Sequence, residues 1–164
     1  MKRKISIKTL LLDIIILITV FLILKFVVGL GYASSGSMEP TIMTGDITID
    51  NKVSYLFGCP QRGDIVVFTL GSDKTNYAKR IVGLPGEKIR FKNGRIYIND
   101  ECLDESIYGN KNRYTFCEKE FMIPENHYFV LGDNRMDSYD SRYWDNPYIS
   151  KNDISGRIIF TFHI

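Results

Sequence analysis

Histidine is scarce: the 164 residues contain two, His127 and His163. His127 opens an apolar run and His163 is the penultimate residue, so both read as structural, and a Ser-His-Asp triad has no natural base here. Cysteine is also sparse. Cys59, Cys102 and Cys117 form no C-x-x-C pair, which removes the common zinc and redox motifs. No metal site is expected. Cys102 and Cys117 are placed either to close a loop disulfide in an oxidising compartment or to remain free thiols. Charge excess is lacking too: 21 basic and 19 acidic residues give a net +2. Residues 1–8 (MKRKISIK) hold four basic groups and no acidic one, leaving the remainder with 17 and 19, a net of −2. A near-neutral body of that kind argues against broad nucleic-acid binding. There is no dinucleotide fingerprint, no helix-turn-helix, no repeat and no low-complexity segment.

What the chain does have is one long apolar run. Residues 9–30 read TLLLDIIILITVFLILKFVVGL, with 17 apolar residues in 22. As a helix this run spans roughly 33 Å, enough for the hydrocarbon core of a bilayer. Asp13 and Lys25 lie within about two turns of an end and can snorkel to the headgroups. Lys2, Arg3, Lys4 and Lys8 precede the run, so the positive-inside tendency keeps the N-terminus cytoplasmic and exports everything beyond residue 30. A cleaved signal peptide is the competing reading, with Gly31-Tyr32-Ala33 as its small-x-small site. Length favours an anchor, since signal-peptide cores run about 7–15 residues. Self-cleavage near Ala33 stays open. The expected organisation is a basic tail (1–8), a transmembrane helix (9–30) and an extracytoplasmic domain (31–164).

Beyond residue 45 helical periodicity is scarce, and short β-rich runs alternate with turn signals. The candidates are 46–50, 64–70, 77–82, 88–91, 95–99, 127–131 and 157–162. Asn93-Gly94 between two of them is a two-residue hairpin signal. Leu84-Pro85-Gly86-Glu87 suits a type II turn. Residues 100–120 read as a polar surface loop. The expected fold is an all-β, antiparallel catalytic domain preceded by one N-terminal helix.

Three segments hold the chemistry: Ser34–Thr41 (SSGSMEPT), Tyr77–Gly86 (YAKRIVGLPG) and Gly132–Arg142 (GDNRMDSYDSR). Taken alone, the first is an ordinary linker. Together with the apolar run and the Gly63–Phe68 strand (GDIVVF), in this order, the set resembles the signature boxes of bacterial type I signal peptidases. The resemblance spans most of the chain and implies a membrane-bound serine endopeptidase. It makes Ser37 the nucleophile and Lys79 the general base. Ser35 becomes an oxyanion donor beside the Ser37 amide, and Ser138 the residue that orients the lysine. Arg80, Asp133, Asp140 and Arg142 become structural support, and Met38 and Tyr77 neighbours of the pocket for the substrate residue before the scissile bond (P1). It further implies exported preproteins with small P1 and P3 residues as substrates, the lipid bilayer as a partner, and no cofactor. A single span resembles the Gram-positive form; relatives with two spans or a large inserted β-domain are longer. Ala33 and the residues before it lack a strong family match, which leaves the outer substrate pocket unassigned.

The physics of the residues agrees with that assignment. A serine hydroxyl needs a base to become a nucleophile, and lysine is a known substitute for histidine. It must be neutral to act, so its pKa must fall from about 10.4, which burial achieves by disfavouring the ammonium. Strand alternation puts Tyr77, Lys79 and Ile81 on one face and Arg80 on the other, free to pair with a carboxylate such as Asp133. Gly36 lets the chain turn just before Ser37. Two rivals remain. One is a self-cleaving repressor-type Ser-Lys peptidase, disfavoured by the span. The other is a non-catalytic membrane-tethered β module, disfavoured by the complete set of Ser37, Lys79 and Ser138.

Overall fold

The computed structural model describes residues 6–71, 75–108 and 114–163. Helix α1 (Ile7–Val27) opens the chain, with the Ser6 side chain capping its first turn by accepting from the Lys8 amide. None of its residues is buried. Leucine, isoleucine and valine cover it on all sides, so it has no polar face to turn toward water. The helix begins two residues before the expected span and ends three residues before it. Val28–Tyr32 are not helical: they form strand β1, the edge of a sheet. A strand directly after an apolar helix is hidden in the sequence, because its residues extend the same apolar run.

Ten further strands follow: β2 (Ile47–Asn51), β3 (Ile65–Phe68), β4 (Tyr77–Gly83), β5 (Lys88–Lys92), β6 (Arg95–Ile98), β7 (Glu101–Cys102), β8 (Glu120–Met122), β9 (His127–Leu131), β10 (Ile149–Ser150) and β11 (Ile154–Phe162). All pairings are antiparallel, in a seven-stranded sheet ordered β1-β2-β11-β3-β4-β9-β10 and a four-stranded sheet ordered β7-β6-β5-β8. Every expected strand is present, within three residues at its ends. Asn93 (φ 53°) and Gly94 (φ 75°) make the β5–β6 hairpin. Gly86 (φ 78°) sits in the expected turn, closed by the Glu87 amide donating to the Leu84 carbonyl. The supposed loop at 100–120 is partly regular: it contains β7, a short 3-10 turn at Glu105–Tyr108 and the first residue of β8. The thiols of Cys59, Cys102 and Cys117 are free.

Two cores form on opposite sides of β4 and β9. Ile81, Tyr128 and Val130 pack with Val66, Phe68 and Ile149. Val82, Phe129 and Leu131 pack with Ile89, Phe91, Ile96 and Phe121. Each fully buried side chain of this size contributes roughly 1.5–3 kcal/mol. The two central strands are therefore covered on both faces, and a lysine in one of them is withdrawn from water by its neighbours.

Candidate active site

Lys79 occupies the middle of β4, opposite Val66 of β3 and on the face of Tyr77 and Ile81. Its residue exposure is 4%. The Nζ lies 2.6 Å from Ser37 Oγ. Ser37 lies in a 3-10 turn, Gly36–Met38, entered from an extended Ser35. The first amides of such a turn have no acceptor within it, and the Ser37 N–H is one of them. Ser35 Oγ is 3.4 Å from Ser37 Oγ. One hydroxyl, one amine and two further donors thus converge on one small volume.

Burial holds the Lys79 amine below its ordinary value. The negative charges of Asp140 and Asp133 pull it back up, and the positive charge of Arg142 pushes it down. Desolvation wins, which favours the neutral amine that can take a proton.

The 132–142 loop holds this arrangement by a dense polar network. Arg80 points away from Lys79 and forms a fork with Asp133, Nε to Oδ1 at 2.8 Å and Nη2 to Oδ2 at 2.5 Å. Its guanidinium also lies over the Tyr108 ring. Asp140 and Arg142, both essentially inaccessible, form a second fork at 2.8 and 2.9 Å. Asp140 also accepts from the Gly132 amide. The Ser138 hydroxyl donates to Asp140 Oδ2 at 2.8 Å. That bond ties Ser138 to the Asp140–Arg142 fork.

Several participants were not singled out from the sequence. Asn134 donates from its backbone to the Ser37 carbonyl and from Nδ2 to the Gly36 carbonyl, tying the Ser37 turn to the loop. Thr41 donates to Asp133 Oδ2 at 2.5 Å, linking the serine segment to the Arg80 fork. Gly132 has no room for a side chain, since a Cβ there would fall 2.4 Å from the Ser37 carbonyl and 2.1 Å from Ser138 Oγ. All three lie inside the segments already marked, beside residues with assigned roles. Neither histidine joins the site: His127 contacts the Glu125 carbonyl and His163 pairs with Asp46.

A cavity of about 510 Å³ borders Ser37 and Lys79. Met38, Tyr77, Gly31, Thr48 and Asp50 are among the residues that line it. Among the described residues no cluster of ligands suits a metal ion.

The fold and this site define a class: an antiparallel β protein with a buried lysine set against a serine hydroxyl. Residues 6–163 match the signal peptidase family, peptidase S26, and the chain belongs to that family. It is 34% identical to signal peptidase I of Pseudomonas aeruginosa, over 87% of this chain and 64% of that protein. It is 35% identical to signal peptidase I S of Bacillus subtilis, over 92% of this chain and 85% of that one. The crystal structure of a signal peptidase I from Enterococcus faecalis superposes with a TM-score of 0.51 at 34% identity, covering 61% of this chain and 97% of that one. The chain thus spans about two-thirds of the Pseudomonas protein's length and most of the Bacillus protein's.

Proposed function

We propose that this protein is a membrane-bound serine endopeptidase that removes N-terminal signal peptides from exported preproteins. The observation behind the reading is the 2.6 Å contact between a buried Lys79 amine and the Ser37 hydroxyl. A preprotein lies extended along the free edge of β1, where backbone pairing gives affinity and small pockets give specificity. Ser37 Oγ attacks the scissile carbonyl as Lys79 takes its proton. The Ser37 amide and Ser35 hydroxyl receive the oxyanion, a contribution of about 3–4 kcal/mol per well-aimed donor. Lys79 returns the proton to the departing amine, leaving an acyl-enzyme at Ser37. Lys79 then deprotonates the water that hydrolyses it. Met38 and Tyr77 confine P1 to a small side chain, and P3 enters the outer cavity.

The bilayer is the second partner. Helix α1 is long and apolar enough to cross it. The face of the sheet beside it continues the apolar surface in two cross-strand rows, Leu30–Ile49–Phe160 and Tyr32–Ile47–Phe162. Leu30, Tyr32, Phe160 and Phe162 are all exposed. These rows suit a domain resting on the membrane, with the basic tail cytoplasmic and the site on the outer side.

The test is incubation of the detergent-solubilised protein with purified preproteins and sequencing of the new N-terminus. A single cut at the end of the signal peptide, after a small residue, is expected. Inertness toward a panel of preproteins would move the tethered binding module to first place, and cleavage of itself alone would favour the repressor-type enzyme.

A further inference from the structure

The site is built on the seven-stranded sheet, yet two of its supports come from the chain between β7 and β8. The short turn Glu105–Tyr108 lies there. Its first residue reaches Arg135 of the 132–142 loop. Arg135 is 5% exposed, and its guanidinium is fully engaged with that region and with its own loop. Nη2 pairs with the Glu105 carboxylate. Nη1 donates to Thr115 Oγ1 at 2.6 Å, and Nε to the Gly132 carbonyl at 3.0 Å. Thr115 is itself fixed to the β5–β6 hairpin, its amide donating to the Gly94 carbonyl. The last residue of the turn, Tyr108, lies against Arg80, with the guanidinium 4.9 Å from its ring centre. The same ring fills the space over Gly63, whose carbonyl accepts from Arg80 Nη1 at 2.7 Å.

One turn therefore holds two buried arginines, and both lead to the reacting groups. Arg80 is the neighbour of Lys79 in β4. Arg135 is the neighbour of Asn134, which carries both hydrogen bonds to the Ser37 turn. It also grips Gly132, whose backbone presses on the Ser37 carbonyl. Without Glu105 the Arg135 cation would be left buried and unpaired, a state a protein relieves by moving the cation toward water. Gly132 and Asn134 would move with it, and so would Ser37.

We propose that Glu105 and Tyr108, outside the three segments that hold the chemistry, are positioning residues: through Arg135 and Arg80 they set the distance and alignment of Ser37 and Lys79. This rests on the proteolytic reading of the site.

The test compares full-length Glu105→Ala, Tyr108→Leu and a control, Glu120→Ala, which breaks the exposed Lys88–Glu120 pair of the four-stranded sheet. Preprotein cleavage is measured below each variant's melting temperature, as kcat, KM and the pH–rate profile. In the first two variants kcat is expected to fall about 10- to 100-fold with little change in KM, the signature of a misplaced reacting group. The pH–rate midpoint should also move up toward the ordinary lysine value, because a loosened loop lets water reach Lys79. Glu120→Ala should show neither change. Combining Glu105→Ala with Asn134→Ala should cost less than the product of the separate losses, since both act through the same stretch of loop. If Glu105→Ala fails to fold, Glu105→Gln, which keeps the volume and removes the charge, should show the same rise in midpoint. Normal kcat and an unmoved midpoint in variants that only melt earlier would make the turn structural and overturn the proposal, leaving the peptidase intact. Strictly multiplicative losses in the double variant would overturn the route through Arg135. A wild type inert toward every preprotein would sink the proposal together with the proteolytic reading.

Discussion

At the scale of single residues, Lys79 sets the terms. Its folded-state pKa is depressed by burial, so between that value and about 10.4 the unfolded chain binds one proton more. Stability then rises with pH through this window, and below it Lys79 is a cost to the fold. Lys79→Met, which keeps the volume and removes the amine, should therefore melt at or above the wild-type temperature while losing all but residual activity; calorimetry and a preprotein assay read the two quantities separately. The same depression fixes the direction of the pH–rate profile. Activity should rise with pH as the amine loses its proton, with a midpoint below about 10.4. A midpoint at or above the ordinary lysine value would mean that the base is not a buried amine. The placement of Ser37, Lys79, Arg80 and Asp133 was legible because each sits in a segment whose neighbours fix its surroundings. Asp50 was not: a short polar-apolar alternation does not say which face turns inward, and only pairing with Gly29 and Ile158 decides it.

At the scale of elements, the 132–142 loop does the positioning. It has no regular structure to stabilise it, so side-chain forks replace a backbone ladder. Removing one partner of a buried ion pair strands the other charge. Asp140→Ala should accordingly destabilise the domain by about 3–5 kcal/mol, seen as a large fall in melting temperature. Asn134→Ala removes only the Nδ2 bond to the Gly36 carbonyl. It should cost about 1 kcal/mol of stability and lower kcat more than it raises KM, because the turn holding Ser37 loosens. Among strands, the sequence disclosed those with period-two patterns and clear turns. It concealed β1, which continues an apolar run, and β7, β8 and β10, each of two or three residues and defined only by their partners. The acceptor of the Ser138 hydroxyl, Asp140, was not legible, because it depends on where the loop turns.

At the scale of the whole molecule, the helix and the sheet edge act together. Helix α1 runs straight into β1, and β1 borders the cavity. Ala33 follows directly, held by the Asp46 carbonyl accepting from its amide and by the Gly45 amide donating to its carbonyl. A cut after Ala33 would remove an edge strand already paired with β2. The apolar helix is in this sense continuous with the edge of the sheet that borders the Ser37–Lys79 cavity. The protein should remain with the membrane after washes with high salt or alkaline carbonate, and protease added outside intact spheroplasts should degrade the β domain and spare the basic tail. Release by the wash would remove the anchor from the account, and protection of the domain would reverse its orientation.

The most direct test is single-turnover cleavage of one purified preprotein in detergent by wild type, Ser37→Ala and Lys79→Ala. Release of the mature chain by wild type is predicted, together with a loss of several orders of magnitude in both variants and unchanged melting behaviour for Ser37→Ala. Near-normal activity in Lys79→Ala would contradict the Ser37–Lys79 mechanism on which the reading of this site depends.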